Sequence, residues 1–351
     1  VFIDKSAIIS ALNSKIEKQF GKKIKYDQDL KFSLFPIPQI KLTNIDYYDD
    51  TYNLDLKIAE LKLVTSWSSI FSLNPQITKL NLIEPKLEVI KRETANNKFT
   101  LVKNDIVYSS KLQRIINKFQ KIQIEQGTLK FLVGDSFHEI SKIDANLKIG
   151  KSYEFLSTFY YTNLKSSYNM NILGLFESGF KFQIDQKFLN KNSIIYKGNI
   201  DFNNSIEIKG KINSDKLSLK ELVTLISKVN FLNRPNYLTV NKNIYSIKAL
   251  FDVNIENVYF QEYIFSKNNF KLNYSNNILK IIDLYSLYDN AELNLDGTYN
   301  FFQKKFQSKV SLSDLKIDKN YFSKNSAIFV KEAYVDCSAN ISFDNSLVSP
   351  F

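Results

Sequence analysis

The stretch IIYKGNIDFNNSIEIKGKI, residues 194–212, sets the fold. Ile194, Tyr196, Ile200 and Phe202 share one parity, and Ile206, Ile208 and Ile212 resume it after Asn203–Asn204. Lys197, Asn199, Asp201, Glu207, Lys209 and Lys211 fill the alternate positions. A period of two sends successive side chains to opposite faces of a pleated strand, so each strand has one greasy face and one wet face. Asn accepts the left-handed backbone of tight turns. The stretch therefore reads as two antiparallel strands with Ile208 inward and Lys209 and Lys211 in water.

The same alternation recurs along the chain. Leu54, Leu56 and Ile58 alternate with Asp55 and Lys57, and the phase slips at Ala59–Glu60 before Leu61 and Leu63, which predicts a bulge. Phe251, Val253 and Ile255 project together against Asp252, Asn254 and Glu256. We count on the order of twenty such runs. With only 9 Gly and 6 Pro, turns must also use pairs such as Asn268–Asn269 and Asn276–Asn277. Helical spacing is rare. Asp4 can cap an amphipathic helix carrying Ile8, Leu12, Ile16 and Phe20, ending at Gly21, and shorter helical windows cover 66–72, 109–119 and 218–229. So few helices cannot cover so many one-sided strands. Two sheets must cover each other, or one sheet must curl so that its own greasy face lines a groove. Scarce glycine and irregular turns favour the second. The expected fold is mainly β, a long curled antiparallel sheet forming an elongated groove, with an N-terminal helix at 1–21. The groove then runs over 22–232 and 233–351, with the break near Pro235.

Composition excludes several classes. The chain has 351 residues, 44% hydrophobic and 24% charged, far from the composition of disorder. A net charge of +11 attracts anionic surfaces. The basic residues are scattered between apolar ones with no nucleic-acid motif, so nucleic acid is not the expected partner. One cysteine, Cys337, excludes an internal disulfide framework and reads as a small packed residue in a strand. The single histidine, His138, lies in DSFHE, which reads as a turn, and one histidine denies the chain a multi-His metal site. Asp49–Asp50 and Asp201 sit at expected turns, where Asp serves the backbone. No phosphate-binding loop, dinucleotide fingerprint or nucleophile elbow is present. The reading is not an enzyme, with no cofactor and no metal.

Three blocks carry a family resemblance. KFSLFPIPQIKLTNIDYY (31–48) is an apolar strand that stops at Phe35–Pro36 and restarts at Ile40. LVTSWSSIFSLNPQITKLNLIEPKLEVI (63–90) is strand, short helix, then a strand with the apolar–acidic–Pro step Ile83–Glu84–Pro85. Residues 244–299 read as three strands followed by a Gly, Gly297, that introduces the next. In this order the blocks resemble the AsmA family of envelope proteins. Where that family has Gly followed by Asn-Trp, this chain has Asn97–Lys98–Phe99–Thr100.

The resemblance implies a periplasmic protein held at the inner membrane by an N-terminal helix preceding Val1. It implies a groove for phospholipids or other acyl lipids, serving outer-membrane biogenesis, with outer-membrane or periplasmic proteins as further partners. The wall residues expected are Leu54, Leu56, Ile58, Ile200, Phe202, Ile206, Ile208, Ile212, Phe251, Val253 and Ile255. The competing reading is a structural or assembly factor for outer-membrane proteins with a closed, dry β core.

Overall fold

Alternation becomes strands almost everywhere it occurs. The computed structural model describes residues 31–33, 35–49, 54–67, 77–89, 119–133, 136–175, 179–189, 192–202, 206–218, 247–276, 278–301, 303, 305–318 and 332–344. These residues are mainly β, in seventeen strands of one open sheet. The expected helix at 1–21 and the 232–240 break lie outside the described residues, as do 109–118 of the 109–119 window and 219–229 of the 218–229 window; Phe119 is not helical and Ser218 ends a strand. Of the 66–72 window only Ser66 and Trp67 are described, with Trp67 helical.

The chain divides into two compact units, with the division inside one strand, between Leu173 and Gly174. The first unit holds β1 (Lys31–Ser33), β2 (Gln39–Asp49), β3 (Leu54–Thr65), β4 (Ile77–Val89), β5 (Lys121–Val133), β6 (Ser136–Ile149) and β7 (Tyr153–Tyr161). A short 3-10 turn, Thr162–Leu164, leads from β7 into β8 (Ser166–Leu175), the strand that contains the division. The second unit continues with β9 (Gly179–Phe188), β10 (Ser193–Phe202), β11 (Ile206–Ser218), β12 (Ile247–Phe260), β13 (Tyr263–Ser275), β14 (Ile278–Tyr288), β15 (Ala291–Asn300), β16 (Lys305–Asp318) and β17 (Glu332–Asp344).

The sheet departs from the antiparallel expectation at two places. β4 pairs with β5 in parallel (Leu80 opposite Ile122), and β11 pairs with β12 in parallel (Ile212 opposite Val253). A parallel neighbour cannot be reached by a tight turn, because the chain must travel back along the whole strand first. In sequence, residues 90–120 separate β4 from β5 and residues 219–246 separate β11 from β12. Elsewhere tight turns suffice. Asp289 and Asn290 between β14 and β15 both have positive φ, 46° and 68°, the pattern that matches the twist of a two-residue hairpin.

The phase slip at Ala59–Glu60 is real but is not an extra residue in one strand. Ile58 faces Ile45 and Glu60 faces Thr43, so β2 and β3 stay in register through it. Asn44 in β2 and Glu84 in β4, on either side of the β3 slip, take left-handed φ of 50° and 49°. The Glu84–Pro85 step is thus where β4 changes phase and leaves its pairing with β5, a place where a proline without N–H is tolerated. Pro85 is buried, and Gly127 of β5 leaves room beside it.

True bulges follow a common design. At Gln126, Asp283 and Asp314, two residues oppose a single aspartate on the next strand: Asp144, Asp296 and Asp336 respectively. Each second bulge residue has φ of 54–58° and donates its N–H to that carboxylate at 2.8–2.9 Å. The carboxylate supplies the acceptor that the interrupted ladder no longer offers. The expected turn at Asn268–Asn269 is instead a bulge within β13. Buried Asn268 donates to the carbonyls of Ile255 and Phe265 and accepts from the Ser286 hydroxyl, so its amide is satisfied.

Candidate functional site

The expected wall residues fall in both units. Leu54, Leu56 and Ile58 line one face of β3 in the first unit, where Ile58 joins Ile40, Leu42, Ile45 and Leu63 in a sealed core and Leu56 packs on it. Leu54 is half-buried. The other eight are brought onto one face of the second unit. Ile200 lies opposite Ile208, Phe202 opposite Ile206, Ile212 beside Val253, Phe251 beside Gly210, and Ile255 beside Ser214. Lys209, Lys211, Lys248, Asp252, Asn254 and Glu256 point the other way and are exposed, as the alternation requires.

This apolar face continues past the expected residues. One row runs Phe251, Leu272, Ile281 and Gly297 across β12 to β15; another runs from Val253 to Phe270 across β12 and β13. Leu284, Leu295, Val310 and Ala339 form a further row on β14 to β17. Burial is uneven along it. Ile194, Leu217, Val253 and Ile255 are sealed, at 1–4% exposure, with Phe251, Phe270 and Leu272 packed around them. From β13 to β16 the large apolar side chains Leu279, Ile281, Leu284, Leu293, Leu295, Phe306 and Val310 are only half-buried, while the small inward Ala291, Ser286 and Ser308 are buried.

Two glycines shape the face near its sealed part. Gly198 and Gly210 are opposite each other, and Phe182 lies opposite Gly198 with its ring over the missing side chain. A methyl on Gly198 would meet Phe182 Cζ at 3.0 Å and the Lys209 carbonyl oxygen at 2.3 Å. The aromatic ring fills what the absent side chain of Gly198 leaves open. Gly297 likewise sits mid-strand under the Phe306 ring, not ahead of a strand as the sequence suggested. Tyr274, on the same face, packs edge-on against Phe301 at 6.0 Å, and burial pushes its hydroxyl pKa up, keeping it neutral.

The residues considered for chemistry are dispersed. His138 is not in a turn; it lies in β6 opposite Phe131, stacks on that ring at 5.4 Å, and hydrogen-bonds Tyr161 through Nδ1. Burial raises the pKa of Tyr161. Asp201 faces Glu207 across a hairpin, and Asp49 ends β2 in the first unit. Among the described residues no cluster of three His, Cys, Asp or Glu could hold a metal ion. Cys337 is exposed and not packed, since the described registers of β17 run to β16 alone.

The wet face of the second unit carries two open depressions, of about 310 and 360 Å³, around Lys211, Asp252, Asn254, Asn269 and Lys271, and a third of about 460 Å³ around Lys280, Asp296, Gln307, Lys309 and Asn340. Lys211, Asp252 and Lys271 lie in one cross-strand row, so their charges alternate. Among the described residues no helix is long and apolar enough to cross a membrane. No family model, curated protein or solved structure matches the chain.

Sequence reasoning missed the glycine notch under Phe182 and the aspartates that anchor the bulges. The signal for the latter was present: Ile281–Ile282–Asp283–Leu284 breaks the period of two just where the strand bulges.

Proposed function

We propose that this chain is an AsmA-like periplasmic protein at the inner membrane that binds acyl lipids along a curled β groove, and so supports outer-membrane lipid homeostasis. On this reading it acts by binding and shielding lipid rather than by catalysis. The observation that carries this reading is the half-buried apolar face over β13 to β16, where large aliphatic side chains line up across strands without being sealed. Such a face is a binding surface by default. A sixteen-methylene chain gains about 13 kcal/mol on leaving water, at about 0.8 kcal/mol each, and continuous aliphatic rows supply that without any specific residue.

The sealed cluster around Val253 and Ile255 favours the second reading, an assembly factor with a dry core. Lipid transfer between vesicles, normalised to folded protein, separates the two. For a conduit, Leu295→Asp lowers transfer per folded molecule several-fold, whereas Lys248→Glu leaves it unchanged. Val253→Asp acts chiefly through loss of folded protein, because an unpaired carboxylate enters a closed core. Undiminished transfer by folded Leu295→Asp, or purified protein without bound lipid in native mass spectrometry, would leave the dry-core reading standing.

A further inference from the structure

We infer that one end of the first unit docks directly on an anionic bilayer, with a basic sheet face against the headgroups and an exposed apolar tip inserted among them. The registers place the start of β2, the end of β3, the starts of β4 and β5, and the end of β6 at this same end. On its wet face stand Lys31, Lys41, Lys62, Lys79, Lys121 and Lys148. They are set against one another: Lys31 opposite Lys41, Lys41 opposite Lys62, Lys79 opposite Lys121, and Lys121 opposite Lys148. Like charges directly across strands destabilise a sheet. Glu60 holds Lys41 and Lys62, and Glu154 holds Lys148, but among the described residues Lys31, Lys79 and Lys121 have no carboxylate partner.

The other end of the same face is balanced. There Asp46, Asp55, Glu88 and Glu139 interleave with Lys57, Lys86 and Lys130, with Lys57–Asp55 at 3.5 Å and Lys130–Glu139 at 3.7 Å. Charge is therefore segregated along the strands, which a merely solvated face does not require.

The second observation is apolar. The β1–β2 connection exposes Phe35 at 83% and Ile37 at 54%, and Trp67 at 38% follows Thr65, whose N–H binds the Pro38 carbonyl at 3.0 Å. Exposed Phe, Ile and Trp beside a lysine field match a membrane interface, where aromatic rings sit at headgroup depth and lysines meet anionic lipid. Nucleic acid would use the lysines but not the tip. This inference is independent of the lipid groove, since a chain that fails to dock here can still co-purify lipid.

The test is flotation of the full chain with vesicles of phosphatidylcholine alone or mixed equally with phosphatidylglycerol. Lys79→Glu/Lys121→Glu should lower partitioning onto the anionic vesicles by more than tenfold, at about fivefold per lysine. Lys57→Glu/Lys86→Glu, the same charge change at the balanced end, should cost less than twofold. Phe35→Ser/Ile37→Ser should weaken vesicle binding and leave binding to a DNA duplex unchanged. Trp67, the one tryptophan of the chain, should shift its emission to the blue on anionic vesicles. Equal losses from the two lysine pairs, equal binding to neutral vesicles, or an unshifted Trp67 in the bound state would each overturn the docking end. Loss of duplex binding by the Lys79 pair, with no effect of the Phe35 pair on vesicles, would reassign the lysines to nucleic acid.

Discussion

The two units use one plan for different ends. Each passes from antiparallel hairpins through one parallel joint into further antiparallel strands, and in each the second strand after the joint carries a Ser-Lys step, Ser141–Lys142 and Ser266–Lys267, with the lysine at φ 51° and 54°. The first unit seals a five-residue core on β2 and β3, leaves the inward Leu82, Leu87, Ile124 and Phe131 of β4 and β5 half-buried, and separates charge along its wet face. The second seals only part of its apolar face and alternates charge on the wet one. The backbone plan thus fixes where faces lie, while side-chain choice decides which face is left for a partner.

The largest expected effect tests the contrast within the second unit. Ile255→Ala, at 2% exposure, should cost about 3 kcal/mol in urea unfolding, because it removes buried methylenes and leaves a cavity. Leu295→Ala, half-buried, should cost only about 1 kcal/mol. Equal losses would mean that β13 to β16 are as closed as the β10–β12 core, and the division of the face would fail.

A smaller effect sharpens what the units share. Asp144→Ala in the first and Asp296→Ala in the second each leave a bulge N–H without its carboxylate, so each should cost about 1–2 kcal/mol. Asn keeps an acceptor oxygen at the same place and should recover roughly half. If Asn is no better than Ala, the aspartates are held for their charge and not for the bulge.

The smallest effect belongs to the first unit alone. Burial tends to raise the Glu60 pKa, but hydrogen bonds from Lys41 and Lys62 outweigh it, and the net pKa is below the ordinary 4.5. A depressed carboxylate stabilises the fold above its unfolded pKa, and that contribution is lost as pH falls from about 4.5 through the folded value. Glu60→Gln should therefore flatten acid unfolding of this region, read by Trp67 fluorescence between pH 5 and pH 3. An unchanged acid limb would show that the Lys41–Glu60–Lys62 group adds nothing to stability.

Faces were legible in the sequence because the period of two survives any neighbour: Ile208 in and Lys209 out hold whichever strand pairs alongside. Pairing direction was not, since a one-sided strand looks the same in a parallel or an antiparallel ladder. Only the long segments 90–120 and 219–246 hinted at it. Asn268 misled because asparagine suits a turn and a bulge for the same backbone reason. Cys337 misled because its strand position was read without knowing how few strands pair beside it. Of the candidate site, the eight residues placed on one face were readable; their sealing around Val253 depends on contacts far apart in sequence.

The two parallel joints also carry a kinetic consequence. Hairpins such as β14–β15 can zip from their turns in about 1–10 microseconds. β4 can meet β5, and β11 can meet β12, only after a long stretch of chain has closed its ends, an entropic cost that falls before any contact rewards it. Folding should therefore produce separate blocks of antiparallel ribbon first and join them last, so the seams between blocks are where newly made chains expose unpaired strand edges for longest and where a chaperone has most to protect.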